Sequence, residues 1–261
     1  MFIINMTRYI TIASGKGGVG KTTLVTNLGA ALNQFGKNVI VLDGNISTPN
    51  VSVLLGMTKL PITLHDVLAG KANLKQAIYM HPSGFKVIPA GLSIHHSKLK
   101  IKRELAEAIN EIAGEADFII IDCAAGLGNE AKQAMYAGDE LILITTPEIH
   151  AVTDALKAHE FSKDNGIKPM GVVINRVTGK DWEMTKNNVE EFMELPVISM
   201  IPEDENVKRA IAKKKPVVYL YPKTKASKEI KRLAAKLIGE DYRSLENPSF
   251  IERLMTIFGL N

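Results

Sequence analysis

The sequence predicts an α/β fold: a single domain with a mostly parallel β-sheet covered by helices on both faces. Three observations carry this. Short, nearly continuous apolar runs recur along the chain, the pattern of strands buried on both faces. Helical patterns lie between most of them, as the crossovers of a parallel sheet require. The first run passes directly into a glycine-rich loop and then a helix. Composition agrees. Of 261 residues, 46% are hydrophobic and 23% charged, which supplies a sizeable core and argues against disorder.

Arg8–Ala13 alternates and is β-branched, so it reads as a strand. The alanine- and leucine-rich stretch after the loop reads as a helix to about Phe35, stopped by Gly36. Asn38–Leu42 is an apolar strand ending at Asp43. Phe85–Pro89, Asp117–Ile121, Glu140–Thr145, Met170–Ile174 and Pro196–Ile201 read as further buried strands. Helical patterns cover Lys98–Ala113, Asn129–Ala137, His150–Asn165 and Asp181–Glu194. Residues 1–238 form one domain without internal repeats. Residues 239–248 are a polar, turn-prone linker, and residues 249–261 a distinct tail.

Several function classes are set aside at once. The single cysteine, Cys123, forms no internal disulfide and no Cys-rich metal site within one chain. Lacking a local histidine partner, it reads as a bystander. The apolar runs Phe118–Ile121 and Leu141–Ile144 are strand-length, far short of the ~20 residues of a membrane-spanning helix. Met1–Asn5 has neither the basic start nor the apolar length of a signal peptide. His150 and His159 show no metal spacing and read as surface or interface residues.

Residues 15–22 read Gly15-Lys16-Gly17-Gly18-Val19-Gly20-Lys21-Thr22. This satisfies G-x-x-x-x-G-K-[ST] between a strand and a helix, the context the motif requires. The glycines let backbone N–H groups curl around phosphate oxygens where a Cβ would intrude. The helix start adds the positive end of its dipole. Lys21 then reaches the β/γ-phosphates, and the Thr22 hydroxyl ligates Mg²⁺.

Lys16 sets this loop apart. Ser14–Thr23, SGKGGVGKTT, resembles the deviant Walker A motif of the MinD/ParA family of P-loop ATPases, and the resemblance extends over roughly residues 8–238. It implies ATP and ADP as ligands, with Mg²⁺, and an ATP-sandwiched homodimer. In such a dimer Lys16 acts in trans on the partner's nucleotide, as an arginine finger does. Phe118–Gly126, FIIIDCAAG, looks like a Walker B strand leading into switch II. It assigns Asp122 to the Mg²⁺ shell and the Gly126 backbone to the γ-phosphate. Val41–Asn50, VLDGNISTPN, looks like switch I, with Asp43 matching the family's first aspartate. The family usually has Asp-x-Asp, and here Asn45 replaces the second acid. An amide orients water but takes no proton, and loss of a general base costs roughly 10²–10⁴-fold. Slow hydrolysis is therefore expected.

The resemblance also places the base. Val173–Val177, VINRV, brings Asn175 and Arg176 toward adenine, and Ile201–Asp204, with Pro202, Glu203 and Asp204, flanks it. Thr146–Ala155 resembles the interface helix of the MinD type, with Glu148 and Asp154 at matching positions.

Charge is uneven. Residues Lys208–Lys236 hold eleven Lys or Arg and one acid, Glu229, a local +10; because the whole chain is +4, the remainder sums to −6. A solvated face, an anionic membrane surface and nucleic acid all fit this block. A smaller cluster, Lys98, Lys100, Lys102 and Arg103, opens the helix expected there. Beyond the linker, Ser249–Leu260 is amphipathic. Ser249 and Glu252 have capping-box spacing. Phe250, Ile251, Leu254, Met255 and Phe258 line one face. A helix of about ten residues is marginal alone in water. A bilayer interface or a protein groove equally supplies the surface it needs. The tail resembles the membrane-targeting helix of MinD proteins. That likeness implies a cytoplasmic protein, peripheral at the inner face of the cell membrane, acting on an unidentified protein cargo or ATPase activator. The alternatives are a ParA-like partitioning ATPase binding DNA through Lys208–Lys236, and a scaffold that binds ATP without hydrolysing it.

Overall fold

The computed structural model describes residues 6–246 apart from 94, 95, 97 and 98. The amphipathic tail read from residues 249–261 and the cation of Lys98 lie outside the described residues.

An eight-stranded sheet forms the centre, in the order β3-β4-β2-β5-β1-β6-β7-β8. Its strands are β1 (Arg8–Ser14), β2 (Val39–Asp43), β3 (Tyr79–Met80), β4 (Lys86–Ile88), β5 (Phe118–Ala125), β6 (Glu140–Thr145), β7 (Pro169–Val177) and β8 (Val197–Pro202). All neighbours pair in parallel except β3 with β4. The helices are α1 (Lys21–Gln34), α2 (Val51–Leu55), α3 (Leu64–Leu68), α4 (Leu105–Ala108), α5 (Asn129–Tyr136), α6 (Ile149–Asp164), α7 (Lys186–Met193), α8 (Glu205–Ala212), α9 (Val217–Leu220), α10 (Lys225–Ile238) and α11 (Tyr242–Glu246).

Strand alternation distributes the apolar residues over two cores. In β1, Ile10 and Ile12 face the layer holding α1 and α10, where Leu24, Leu28, Ile230 and Leu233 are buried. In β5, Ile119, Ile121 and Cys123 face the opposite layer with Leu105, Met135 and Val152. Both faces are dry, which is why the strands read as apolar runs.

Two helices expected from the sequence are shorter in the structure. Among the described residues of the Lys98–Ala113 stretch, the helix is confined to α4, followed by a 3₁₀ turn over Ile109–Ile112. The Lys102 and Arg103 N–H groups both donate to the Leu68 carbonyl, which holds the chain off the helical path. The Asp181–Glu194 pattern becomes helical only at Lys186, because Thr185 caps that turn through the Asn188 N–H. Before it, Glu183 accepts from the Thr178 and Gly179 N–H groups and folds residues 178–183 into a turn. His159 is also a correction: it is buried, and its Nδ1 has no hydrogen-bond partner among the described residues. His150 is exposed.

Candidate functional site

The site forms where β1, β2 and β5 end together, at the carboxyl edge where parallel sheets place ligands. Residues Gly15–Gly20 bridge β1 and α1, and Lys21 is the first residue of α1. The loop borders a cleft of about 320 Å³ lined by Lys16, Gly17, Gly18, Lys21, Thr22 and Asn45 among others. Two glycines are dictated by space. A Cβ on Gly15 would lie 1.8 Å from the Asp154 carbonyl oxygen on α6. Gly20 has φ 95°, and a Cβ there would lie 2.2 Å from the Asn175 amide nitrogen, which donates to the Val19 carbonyl at 2.7 Å. The loop is thus clamped from both sides while its concave face stays open. With the α1 N-terminus behind it, that face fits a polyphosphate.

Asp43 and Asp122 stand side by side, as register partners at the ends of β2 and β5, and neither is exposed to solvent. Lys21 Nζ lies 3.1 Å from Asp122 Oδ1, and Thr22 Oγ1 donates to Asp122 Oδ2 at 2.6 Å. Asp43 accepts from the backbone N–H groups of Asn45, Asn50 and Val51. Burial, then the charge of Asp122, pushes Asp43 well above the ordinary carboxylate range, against the pull of those three donors. Burial raises Asp122 too, opposed by Lys21 and Thr22. Two buried carboxyls against one lysine leave a surplus acid, which a divalent cation would favour in its ionised form, with the Thr22 hydroxyl as a further oxygen donor. Such hard oxygen donors suit Mg²⁺, which characteristically takes one or two carboxylates beside phosphate oxygens. Thr22, Asp43 and Asp122 would be the residues to hold it.

Hydrogen bonds within and between segments hold the two stretches that resemble switches. Asn45 donates to the Thr48 carbonyl at 2.6 Å and accepts from the Thr48 hydroxyl at 3.0 Å. Asn50 donates to the same carbonyl. The Gly126 N–H, which the resemblance directs at a γ-phosphate, donates here to the Ser14 carbonyl at 2.9 Å.

A second pocket of about 70 Å³ adjoins the loop, lined by Leu24, Arg176, Pro202, Val207, Ile211 and Ile230 among others. It is largely apolar and suits a planar ring. Asn175 and Asp204 border it, but their side chains are engaged. Asn175 holds the loop, and Asp204 caps α8 through the Asn206 N–H at 2.8 Å. Glu203 lies 3.2 Å from Lys208 and 3.8 Å from Arg176. Sequence reasoning named the polar rim and Pro202 and missed the rest of the apolar wall. Val207 and Ile211, spaced i, i+4 on α8, carried a usable signal. Ile230 did not, since it arrives from α10.

Glu148 is the N-cap residue of α6 without a side-chain capping bond, and Asp154 pairs with Lys157 at 3.0 Å. Cys123 is buried and its thiol donates to the Ala131 carbonyl. Burial pushes its pKa up to about 12. Because the thiolate is the reactive form, Ellman's reagent is expected to leave the native chain unlabelled at pH 8 and to titrate one thiol after denaturation. Rapid labelling of the native chain would contradict this placement.

A glycine cradle on a strand–helix junction, backed by a lysine and two buried carboxylates, defines a P-loop nucleoside-triphosphate-binding protein. Residues 5–238 match the ParA family, described as "NUBPL iron-transfer P-loop NTPase". The chain belongs to this ParA/MinD family of P-loop NTPases, which are generally ATPases. It is 42% identical over 254 residues to an uncharacterized ATP-binding protein of Methanocaldococcus jannaschii, covering 96% of each chain. It is 31% identical over 264 residues to the antiactivator FleN of Pseudomonas aeruginosa, covering 94% of this chain and 92% of that protein. The septum site-determining protein MinD of Pyrococcus horikoshii OT3, solved in complex with Mg-ADP, superposes with a TM-score of 0.85 at 38% identity, covering 89% of this chain and 96% of that one.

Proposed function

We propose that this chain is an ATP-dependent dimerising switch that hydrolyses ATP slowly and associates reversibly with the inner face of the cell membrane to position or recruit a partner protein. The observation that carries this reading is Lys16. It is exposed at the mouth of the phosphate cleft and has no ion pair among the described residues. Lys21 is turned inward onto Asp122. One lysine thus serves its own chain's phosphates and the other is free to reach a second copy's nucleotide. The dimer would close around ATP and open after hydrolysis.

In this reading the chain's own groups divide the work. The loop N–H groups and Lys21 hold the phosphates, and Thr22, Asp43 and Asp122 hold Mg²⁺, which draws charge off the transferring phosphoryl group when bound. Asn45 orients water through its amide but accepts no proton. Asn45→Asp is expected to raise turnover about tenfold or more. It should also lower the melting temperature, because a carboxylate cannot donate to the Thr48 carbonyl and adds a third acid beside Asp43 and Asp122. Equal turnover in a single-turnover assay of the two proteins would remove Asn45 from the mechanism.

Membrane association rests on the 249–261 sequence acting with the basic block. One tail binds weakly, and two tails in an ATP dimer gain through effective concentration. The block favours a second reading as well. Lys208, Arg209, Lys213, Lys214, Lys215, Lys223 and Lys225 are exposed, which suits non-specific binding to DNA phosphates. Among the described residues no helix is long and apolar enough to cross a membrane. Sedimentation with anionic liposomes and, separately, with DNA, under Mg·ATP or Mg·ADP, tests both. ATP-enhanced liposome binding lost on deletion of residues 250–261 supports the first reading. Salt-sensitive DNA binding unaffected by that deletion supports the second. Behaviour independent of nucleotide in both would defeat the switch.

A further inference from the structure

The loop that carries Asn45 is tied to Asp43 at its base and, through Ser47, to a helix distant in sequence. Among the hydrogen bonds described for residues 45–50, all stay within the segment 43–54 except those of Ser47. The Ser47 N–H donates to Glu130 Oε2 at 3.1 Å, and the Ser47 hydroxyl donates to Glu130 Oε1. The two residues are 83 positions apart. Glu130 lies in the first turn of α5. Only Leu127 separates Gly126 from Gly128, the residue that caps α5. A shift of Gly126 therefore reaches Glu130 through a very short connection, and through Glu130 it reaches Ser47.

Gly126 has a reason to shift. Its N–H is bonded to the Ser14 carbonyl, and its φ is 78°. The family resemblance directs that N–H at a γ-phosphate, and to reach one it would have to leave Ser14. We propose that Glu130 is a positioning residue: it carries the position of Gly126 to the Asn45 loop, so that this loop takes its hydrolytic arrangement only when a third phosphate is present. This rests on the ATPase reading above and adds the route by which one switch segment informs the other. Glu130 grips Ser47 at two points. One carboxylate holding both the N–H and the hydroxyl of a single residue fixes that residue's direction as well as its distance.

The test uses the full chain and three variants, Glu130→Ala, Ser47→Ala and the double substitution. Hydrogen–deuterium exchange of residues 44–51 is measured with Mg·ADP and with a non-hydrolysable Mg·ATP analogue, beside nucleotide affinity and steady-state kinetics. In the unaltered chain the segment is expected to be several-fold better protected with the ATP analogue. In Glu130→Ala that difference disappears. Affinity for both nucleotides stays within about twofold and kcat falls roughly 10–100-fold at unchanged KM, the scale of a misplaced reactive group. The double variant is no slower than Glu130→Ala, because both substitutions break one link. A merely structural Glu130 would lower the melting temperature and leave the ATP-dependent protection intact. That outcome, or additive losses in the double variant, overturns the proposal while leaving the ATPase reading standing. An unaltered chain that binds no nucleotide overturns both.

Discussion

Lys21→Ala is expected to abolish measurable ATP binding and to destabilise the nucleotide-free chain by about 3 kcal/mol, the lower end of the cost of breaking a buried ion pair. Both effects have one origin. Lys21 is 8% exposed and Asp122 not at all. Without the ammonium, Asp122 keeps only the Thr22 hydroxyl and faces Asp43 across the β2–β5 register. Its carboxyl, already raised by burial, loses the charge that held it down. The sign with pH follows. A folded-state acid with a raised pKa binds more protons than the unfolded chain, so its stability falls as pH rises. The deficit of Lys21→Ala relative to the unaltered chain should therefore be smaller at pH 5 than at pH 8, as read by urea unfolding. Lys21→Met, which keeps the aliphatic stem, should share the pH dependence. A uniform loss across pH would point to packing instead of charge.

Gly15→Ala is expected to cost more than about 3 kcal/mol, beyond ordinary overpacking, and to abolish nucleotide binding with it. The added Cβ would meet the Asp154 carbonyl oxygen at 1.8 Å and its carbon at 2.0 Å. Both are backbone atoms of α6, so no side chain can swing aside. The loop or the helix must move, and the loop is held on its other side by Asn175. Gly17→Ala is the matched control. Its Cβ meets only the Ala125 Cβ, at 3.9 Å, so the chain should keep its melting temperature within about 2 °C while losing ATP affinity, since the methyl enters the phosphate cradle. Equal stability of the two variants would show that α6 does not brace the loop.

Much of the fold was legible because a doubly covered parallel sheet writes each strand as an apolar run. β1, β2 and β4 through β8 all carry that pattern, and their ends were placed to within a few residues. The shorter elements carry too few residues for a period to show. α2, α3, α9 and the two-residue β3 went unread for that reason. The Lys98–Ala113 helix failed differently. Its local propensity was adequate, but the Leu68 carbonyl takes the Lys102 and Arg103 N–H groups, a tertiary contact that no local pattern records.

The site divides along the same line. The phosphate loop is local: Gly15 to Thr23 are consecutive, and their spacing alone specifies a phosphate cradle between a strand and a helix. Asp43 and Asp122 could each be named as a strand-end acid. That they face one another, with Lys21 turned onto one of them, came from the strand order that sets β5 between β1 and β2. The same holds for Asn175, which braces the loop rather than standing free, and for Ile230, Asp154 and Glu130, which reach the site from distant segments. The sequence by itself determined the chemistry on offer, because residue types at fixed short spacing settle what a loop can bind. Only the tertiary structure decided which charges are buried together and which backbone atoms crowd the loop, because those depend on strand order and helix packing, where burial turns ordinary side chains into costly, strongly interacting ones.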